Sequence, residues 1–176
     1  MERALLRTPG RFLVVTPSNL SVLALADGSL LFIPWDLSAP LRIDQTVVEV
    51  TTVGGAGSIT RCGWFRDDGT LNGPGALISD VGTVDTTVLG VRTIPHAAVT
   101  LPAGRVWAGV VNQGAAVPTA TLRCSTTSDA PVTFSSLAGL ASVVLGQVGV
   151  TGALPANPAT NFFHFVFPSV GVRIAA

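Results

Sequence analysis

Polar and apolar residues alternate along much of this chain. In "LRIDQTVVEVTTV" (41–53), Ile43, Gln45, Val47 and Glu49 fall on one side of an extended strand, and Arg42, Asp44, Thr46, Val48 and Val50 on the other. "SITRCGWFRDD" (58–68) has the same period, with Cys62, Trp64 and Arg66 opposite Arg61, Gly63 and Phe65. "GSLLFIPWDLS" (28–38), "ALISDVGTV" (76–84), "GVRTIP" (90–95), "AAVTLPAG" (97–104), "RVWAGVVNQG" (105–114), "TATLRCSTT" (119–127), "PVTF" (131–134) and "FFHFVFPSVGVRIAA" (162–176) carry further strand signals. Turn residues separate them, and helical periodicity is scarce. The spacing predicts an all-β, antiparallel β-sandwich of about eight strands. Residues 135–152 read as a short helix or irregular strands. Residues 1–27 begin with a helix-like "ERALLR" stopped by Pro9-Gly10, and are expected to form an N-terminal arm or docking segment outside a sandwich domain at 28–176.

Composition narrows the function classes. A chain of 176 residues suits one domain. Hydrophobic residues make up 48% and charged ones only 11%, so the surface is built mainly from small and uncharged polar residues. Such a surface suits burial against copies or partners. The net charge is zero, which argues against nucleic acid as a partner. All the basic residues are arginine, a codon-bias signature. No apolar run approaches the roughly 20 residues of a membrane-spanning helix, and no signal peptide is evident, so a cytoplasmically made chain with no membrane insertion is expected. Cys62 and Cys124 read as buried small hydrophobes; a disulfide between them stays open.

The richest candidate chemistry lies in "RCGWFRDDGTLNGPG" (61–75). Asp68, Thr70, Asn72 and Gly73 echo the start of a calcium loop, but position three is Thr and Ser79 stands where a bidentate Glu belongs. Asp67 and Asp68 are adjacent, so they point to opposite sides of a strand end and do not face each other as glycosidase carboxylates do. His96 and His164 belong to no nucleophile motif. The chain is therefore read as having no enzymatic activity, metal site or cofactor. Asp67, Asp68 and Asn72 remain as a contact loop at a hairpin tip. Trp64 and Trp107 are expected in the core. Trp35, at a strand end after Pro34, and Phe65, opposite Trp64, are expected as surface aromatics. Arg61, Arg66, Arg105 and Arg123 are expected in salt bridges rather than on phosphates.

The ordered set Gly63-Trp64-Phe65-Arg66-Asp67-Asp68-Gly69, then Pro74-Gly75-Ala76-Leu77-Ile78-Ser79-Asp80, then Gly82-Thr83-Val84, then Leu101-Pro102-Ala103-Gly104 ahead of Trp107, resembles a β-sandwich module of tailed-bacteriophage virion proteins of the minor-tail, tail-fibre or head-fibre type. The ending "FPSVGVRIAA" resembles that module's closing strand. The resemblance covers 28–176. It implies a jelly-roll-like sandwich, a virion location, a homo-oligomer of the trimeric kind usual in fibre modules, and docking to other virion proteins. Phe65 and Val106 stand where the module often has Tyr, which removes two hydroxyls from any ligand contact. The alternative is a receptor-binding, lectin-like module that contacts host-surface glycans through loops 54–58, 66–75 or 112–118. A carbohydrate-active enzyme is a third and weaker reading.

Overall fold

A computed structural model of the chain describes residues 9–14, 20–69, 73–114, 118–126, 144–160, 162–164 and 166–176. The strands are β1 (Phe12–Val14), β2 (Leu20–Ala24), β3 (Leu30–Leu37), β4 (Leu41–Thr52), β5 (Ile59–Asp67), β6 (Pro74–Asp85), β7 (Gly90–Leu101), β8 (Gly104–Gln113), β9 (Thr121–Thr126), β10 (Val144–Gln147), β11 (Phe162–His164), β12 (Val166–Pro168) and β13 (Gly171–Ile174). They form two antiparallel sheets. The sandwich read from the alternation is therefore present. Its central eight strands run β2–β9–β4–β7 in sheet I and β3–β8–β5–β6 in sheet II, the order of a jelly roll. The expected strand at 131–134 lies outside the described residues, as does 135–143, the first half of 135–152; the second half is β10 and the residues after it.

The other five strands are short additions. β10 pairs with β3, and β11 with β10, at one edge of sheet II. β12 pairs with β9 and β13 with β4, so the chain's last strands fill the gap where β9 and β4 diverge. β1 pairs with β13, and β2 runs the whole length of β9. The described part of 1–27 is thus built into sheet I rather than standing apart as an arm, and Leu25 is already core. The apolar residues of "FLV" and "LSVLAL" supply the reason: a strand beside a paired edge satisfies its backbone groups and buries alternate side chains.

The main core lies between the sheets. It includes Leu31, Ile33, Trp35, Ile43, Val48, Val50, Cys62, Trp64, Val106, Ala108, Val110, Leu122, Cys124 and Val172. Trp35 meets Trp64 edge to face, ring centres 5.3 Å apart. β4 departs from simple alternation. Its pairing slips at Asp44 against both β7 and β13, a β-bulge. Ile43 therefore points inward with Thr46, Val48 and Val50, while Gln45, Val47 and Glu49 point out. Ile43 does not share a side with Gln45, because the bulge inserts one residue and flips the register.

A second core lies on the outer side of sheet II. There Leu30, Phe32, Phe65, Trp107 and Val111 pack against Leu145, Val150 and Leu154. Residues 148–160 form a strap across this side. Gln113 donates through Nε2 to the carbonyls of Val150 and Gly152, at 3.0 and 2.7 Å. The Leu154 amide donates to Asp80 Oδ2 at 3.0 Å, and the Leu77 amide to the Ala156 carbonyl at 2.8 Å. The strap's Gly149, Gly152, Pro155 and Pro158 leave it no regular element to adopt.

Gly63 and Gly109, paired across β5 and β8, make the floor of this second core. A Cβ on Gly63 would run into Leu154 Cδ1 and lie 2.8 Å from the Ser79 carbonyl oxygen. One on Gly109 would lie 2.6 Å from a Phe65 ring carbon. The hollow left by two missing side chains seats Leu154 and Phe65. Gly63→Ala is expected to cost about 1–3 kcal/mol by overpacking this hollow, read as a lower urea midpoint with an unchanged slope.

Candidate functional site

The acidic turn sits where β5 leaves sheet II. Asp67 Oδ1 accepts the indole N–H of Trp107 at 3.0 Å, and its Oδ2 accepts the Gly69 amide at 3.1 Å. The Asp68 amide donates to the Gly73 carbonyl at 3.0 Å and closes the loop. Gly69 has φ near +81°, the left-handed conformation such a turn needs. Asp67 thus satisfies a buried indole and shapes the turn. Asn72, the third expected contact residue, lies outside the described residues.

The two expected surface aromatics are buried. Trp35 is 3% exposed and Phe65 fully enclosed. Trp35 faces the inter-sheet core because β3 places it on the same side as Leu31 and Ile33. Phe65 does point out of sheet II, but the strap covers it, and Phe32 meets its ring edge to face at 5.2 Å. Trp64 and Trp107 are buried as expected. No tryptophan, therefore, supplies a sugar-stacking platform.

Carboxylates serve the sheets. Asp80 pairs with Arg61 at 2.8 Å, and Asp36 with Arg105 at 3.0 Å. Glu49 and Arg123 make a two-pronged pair at 3.1 and 3.2 Å; Asp44 and Arg173 make another, both contacts at 2.8 Å. The Arg173 hydrogen bonds hold the Asp44 carboxyl below its ordinary range. His96 Nε2 lies 3.3 Å from Thr46 Oγ1, which also accepts the Trp64 indole at 3.3 Å; His96 Nδ1 meets the Ala97 carbonyl. Among the described residues no three His, Cys, Asp or Glu side chains gather as a metal site. Cys62 and Cys124 are free thiols, both pushed up to about 12 by burial, so neither is a nucleophile near neutral pH.

The two outer surfaces differ sharply. Sheet II is sealed by the strap. Sheet I has no such cover among the described residues and is the candidate functional surface. Among the described residues seven large apolar side chains are exposed. Phe12, Val22 and Val91 stand on the outer side of sheet I, and Val53, Val88 and Leu89 lie in loops at one end of the sandwich beside β4 and β7. Only Val148 falls elsewhere, at the root of the strap. The loops carrying Val53 and Val88 are tied together by the Gly54 amide on the Thr86 carbonyl and by Ser58 Oγ to Thr86 Oγ1 at 2.9 Å. The sequence marked this surface only weakly, because its apolar residues are single members of alternating strands.

No protein-family model matches the chain, and no curated protein does. Solved structures that share its fold include the following two. One is the clostridial cysteine protease Cwp84 after propeptide cleavage, with a TM-score of 0.52, 13% identity, and coverage of 94% of this chain and 40% of that one. The other is described as the cysteine protease and lectin-like domains of Cwp84, a surface layer associated protein of Clostridium difficile. Its TM-score is 0.52 and its identity 14%, over 92% of this chain and 37% of that one. The chain spans about two fifths of their length, and at this identity the likeness is one of fold alone.

Replacing Asp67 by Ala strands the buried Trp107 indole N–H. A loss of about 1–3 kcal/mol is expected in urea unfolding followed by tryptophan fluorescence. Asp67→Asn keeps one acceptor oxygen and is expected to cost less.

Proposed function

We propose that this chain is a structural subunit of a tailed-phage virion: a minor tail, fibre or decoration protein that works by assembling with copies of itself and docking to other virion proteins, not by catalysis. Two lines support the reading. The ordered motifs from Gly63 to Trp107 resemble that module. The observation that carries the mechanism is the asymmetry of the sandwich: one outer surface is closed by the chain's own strap, and the other presents Phe12, Val22 and Val91 at 56%, 52% and 68% exposure. Exposed apolar residues flanking neutralised charges on one uncovered surface are what an assembly contact can use. The low charge of the chain fits extensive burial in a particle.

A second reading, a lectin-like module for host-surface glycans, draws on one observation. The fold is shared with chains of a protein described as having lectin-like domains. The burial of Trp35, Phe65 and Trp107 weighs against it, since sugar contact through aromatic stacking needs an open ring. Any such contact would fall to the loops at 54–58, 66–75 and 112–118.

Mass spectrometry of purified particles tests the first reading. The chain is expected as a stoichiometric component that remains after high-salt washing, and particles made without it are expected to lose integrity or adsorption. Its absence from purified particles would overturn the proposal. Specific glycan-array binding, abolished by changes in those three loops, would move the assignment to the second reading.

A further inference from the structure

The outer surface of sheet I is patterned in columns. Across its upper half the order is Val22 on β2, Arg123 on β9, Glu49 on β4 and Val91 on β7; Val22 pairs with Arg123, Arg123 bonds Glu49, and Glu49 pairs with Val91. Across its lower half it is Phe12 on β1, Arg173 on β13, Asp44 with Gln45 on β4, and Pro95 on β7; Phe12 pairs with Arg173, Arg173 bonds Asp44 and pairs with Gln45, and Gln45 pairs with Pro95. Both rows read apolar, arginine, carboxylate, apolar. Val47 and Thr93 pair between them.

This order is its own complement. A two-fold axis parallel to β4, above the boundary between the arginine and carboxylate columns, reverses left and right and preserves position along the strands. It sets Arg123 over the second copy's Glu49 and Arg173 over its Asp44. It also sets Val22 over the second copy's Val91, and Phe12 over its Pro95. In these two rows each of the four charges meets its opposite and each apolar column meets an apolar one; Arg42, exposed beyond the lower row on β4, lies outside the matched set. A one-column shift would put arginine over arginine, which disfavours that docking. The charged side chains are already ordered by two-pronged bonds within each copy, which lowers the entropy cost of docking them.

We infer that the partner of this surface is the same surface of a second copy, in a two-fold, sheet-on-sheet contact. The inference rests on the assembly reading above and supplies its partner. Four strands at about 4.8 Å spacing and about seven residues per strand give a patch on the order of 450 Å² on each copy. The total is near the lower limit for a specific interface, so the contact is weak and concentration-dependent in isolation. A two-fold contact is isologous; it coexists with a three-fold one in a closed assembly of dihedral or cubic symmetry.

The test is sedimentation of the full chain over a concentration series, with V22E, V91R and the double variant V22E/V91R. Both positions are exposed, so unchanged thermal melting is the control for folding. The wild type is expected to show a reversible monomer–dimer equilibrium. Each single variant sets a charge against an apolar column and is expected to weaken dimerisation at least about tenfold. The double variant sets Glu over Arg and is expected to dimerise again, now with strong salt dependence. A wild type that stays monomeric, single variants that dimerise unchanged, or a double variant as weak as the singles would each overturn the contact. Failure here with the chain still present in particles leaves the virion reading standing; a dimer from a chain absent from particles does the reverse.

Discussion

The constraint on which this structure turns is that sheet II is apolar on both sides. β3 and β8 place Leu31, Ile33, Val106 and Val110 toward the inter-sheet core, and Leu30, Phe32, Trp107 and Val111 outward. An outward surface of that kind has to be covered, and at about 25 cal/mol per Å² the drive to cover it is large. The chain does so itself, with residues 148–160. The glycine pair at 63 and 109 gives that strap a hollow to sit in, Gln113 and Asp80 tie it down, and Asp67 completes the polar accounting of the tryptophan beneath it.

The proposed function rests on what the strap leaves undone. On sheet II the aromatic side chains Phe32, Phe65 and Trp107 are buried in packing. Among the described residues sheet I keeps an uncovered surface whose Glu49 and Asp44 are neutralised by Arg123 and Arg173 and whose flanks are apolar. Pairs of this kind at a half-exposed surface add little to the stability of one copy. On the proposed assembly reading their value is in docking, where a neutral, ordered surface carries a small desolvation cost and a definite register.

Much of this was legible in the sequence. The period-two alternation of β4 and β5 gave the sheets, the turn spacing gave the sandwich, and the inward side of Cys62 and Trp64 was read correctly. What was misread has identifiable causes. The bulge at Asp44 shifts parity, and no local residue announces it; only the apolar Ile43 out of step with Val48 and Val50 hints at it. The reading of 1–27 as an arm follows from a resemblance that starts at residue 28, whereas "FLV" and "LSVLAL" hold strand signals and pair into sheet I. Trp35 reads as a surface residue because it follows Pro34 at a strand end, and Phe65 because it lies opposite the inward Trp64. The signal against that was present: "LLFIPW", "CGWF" and "VWAGVV" are apolar at both parities, the mark of strands covered on both sides. The covering strap itself was not legible, since glycine, alanine and proline around a single Leu154 read as a loop.

The central claim is that one surface of the sandwich is closed and the other is made for contact. Carbene footprinting of the chain, dilute and concentrated, reads both surfaces at once. The account predicts that labelling at Phe12, Val22 and Val91 falls as the chain associates, while labelling along the strap at residues 151–160 does not change. Protection of the strap with sheet I unaffected would contradict it.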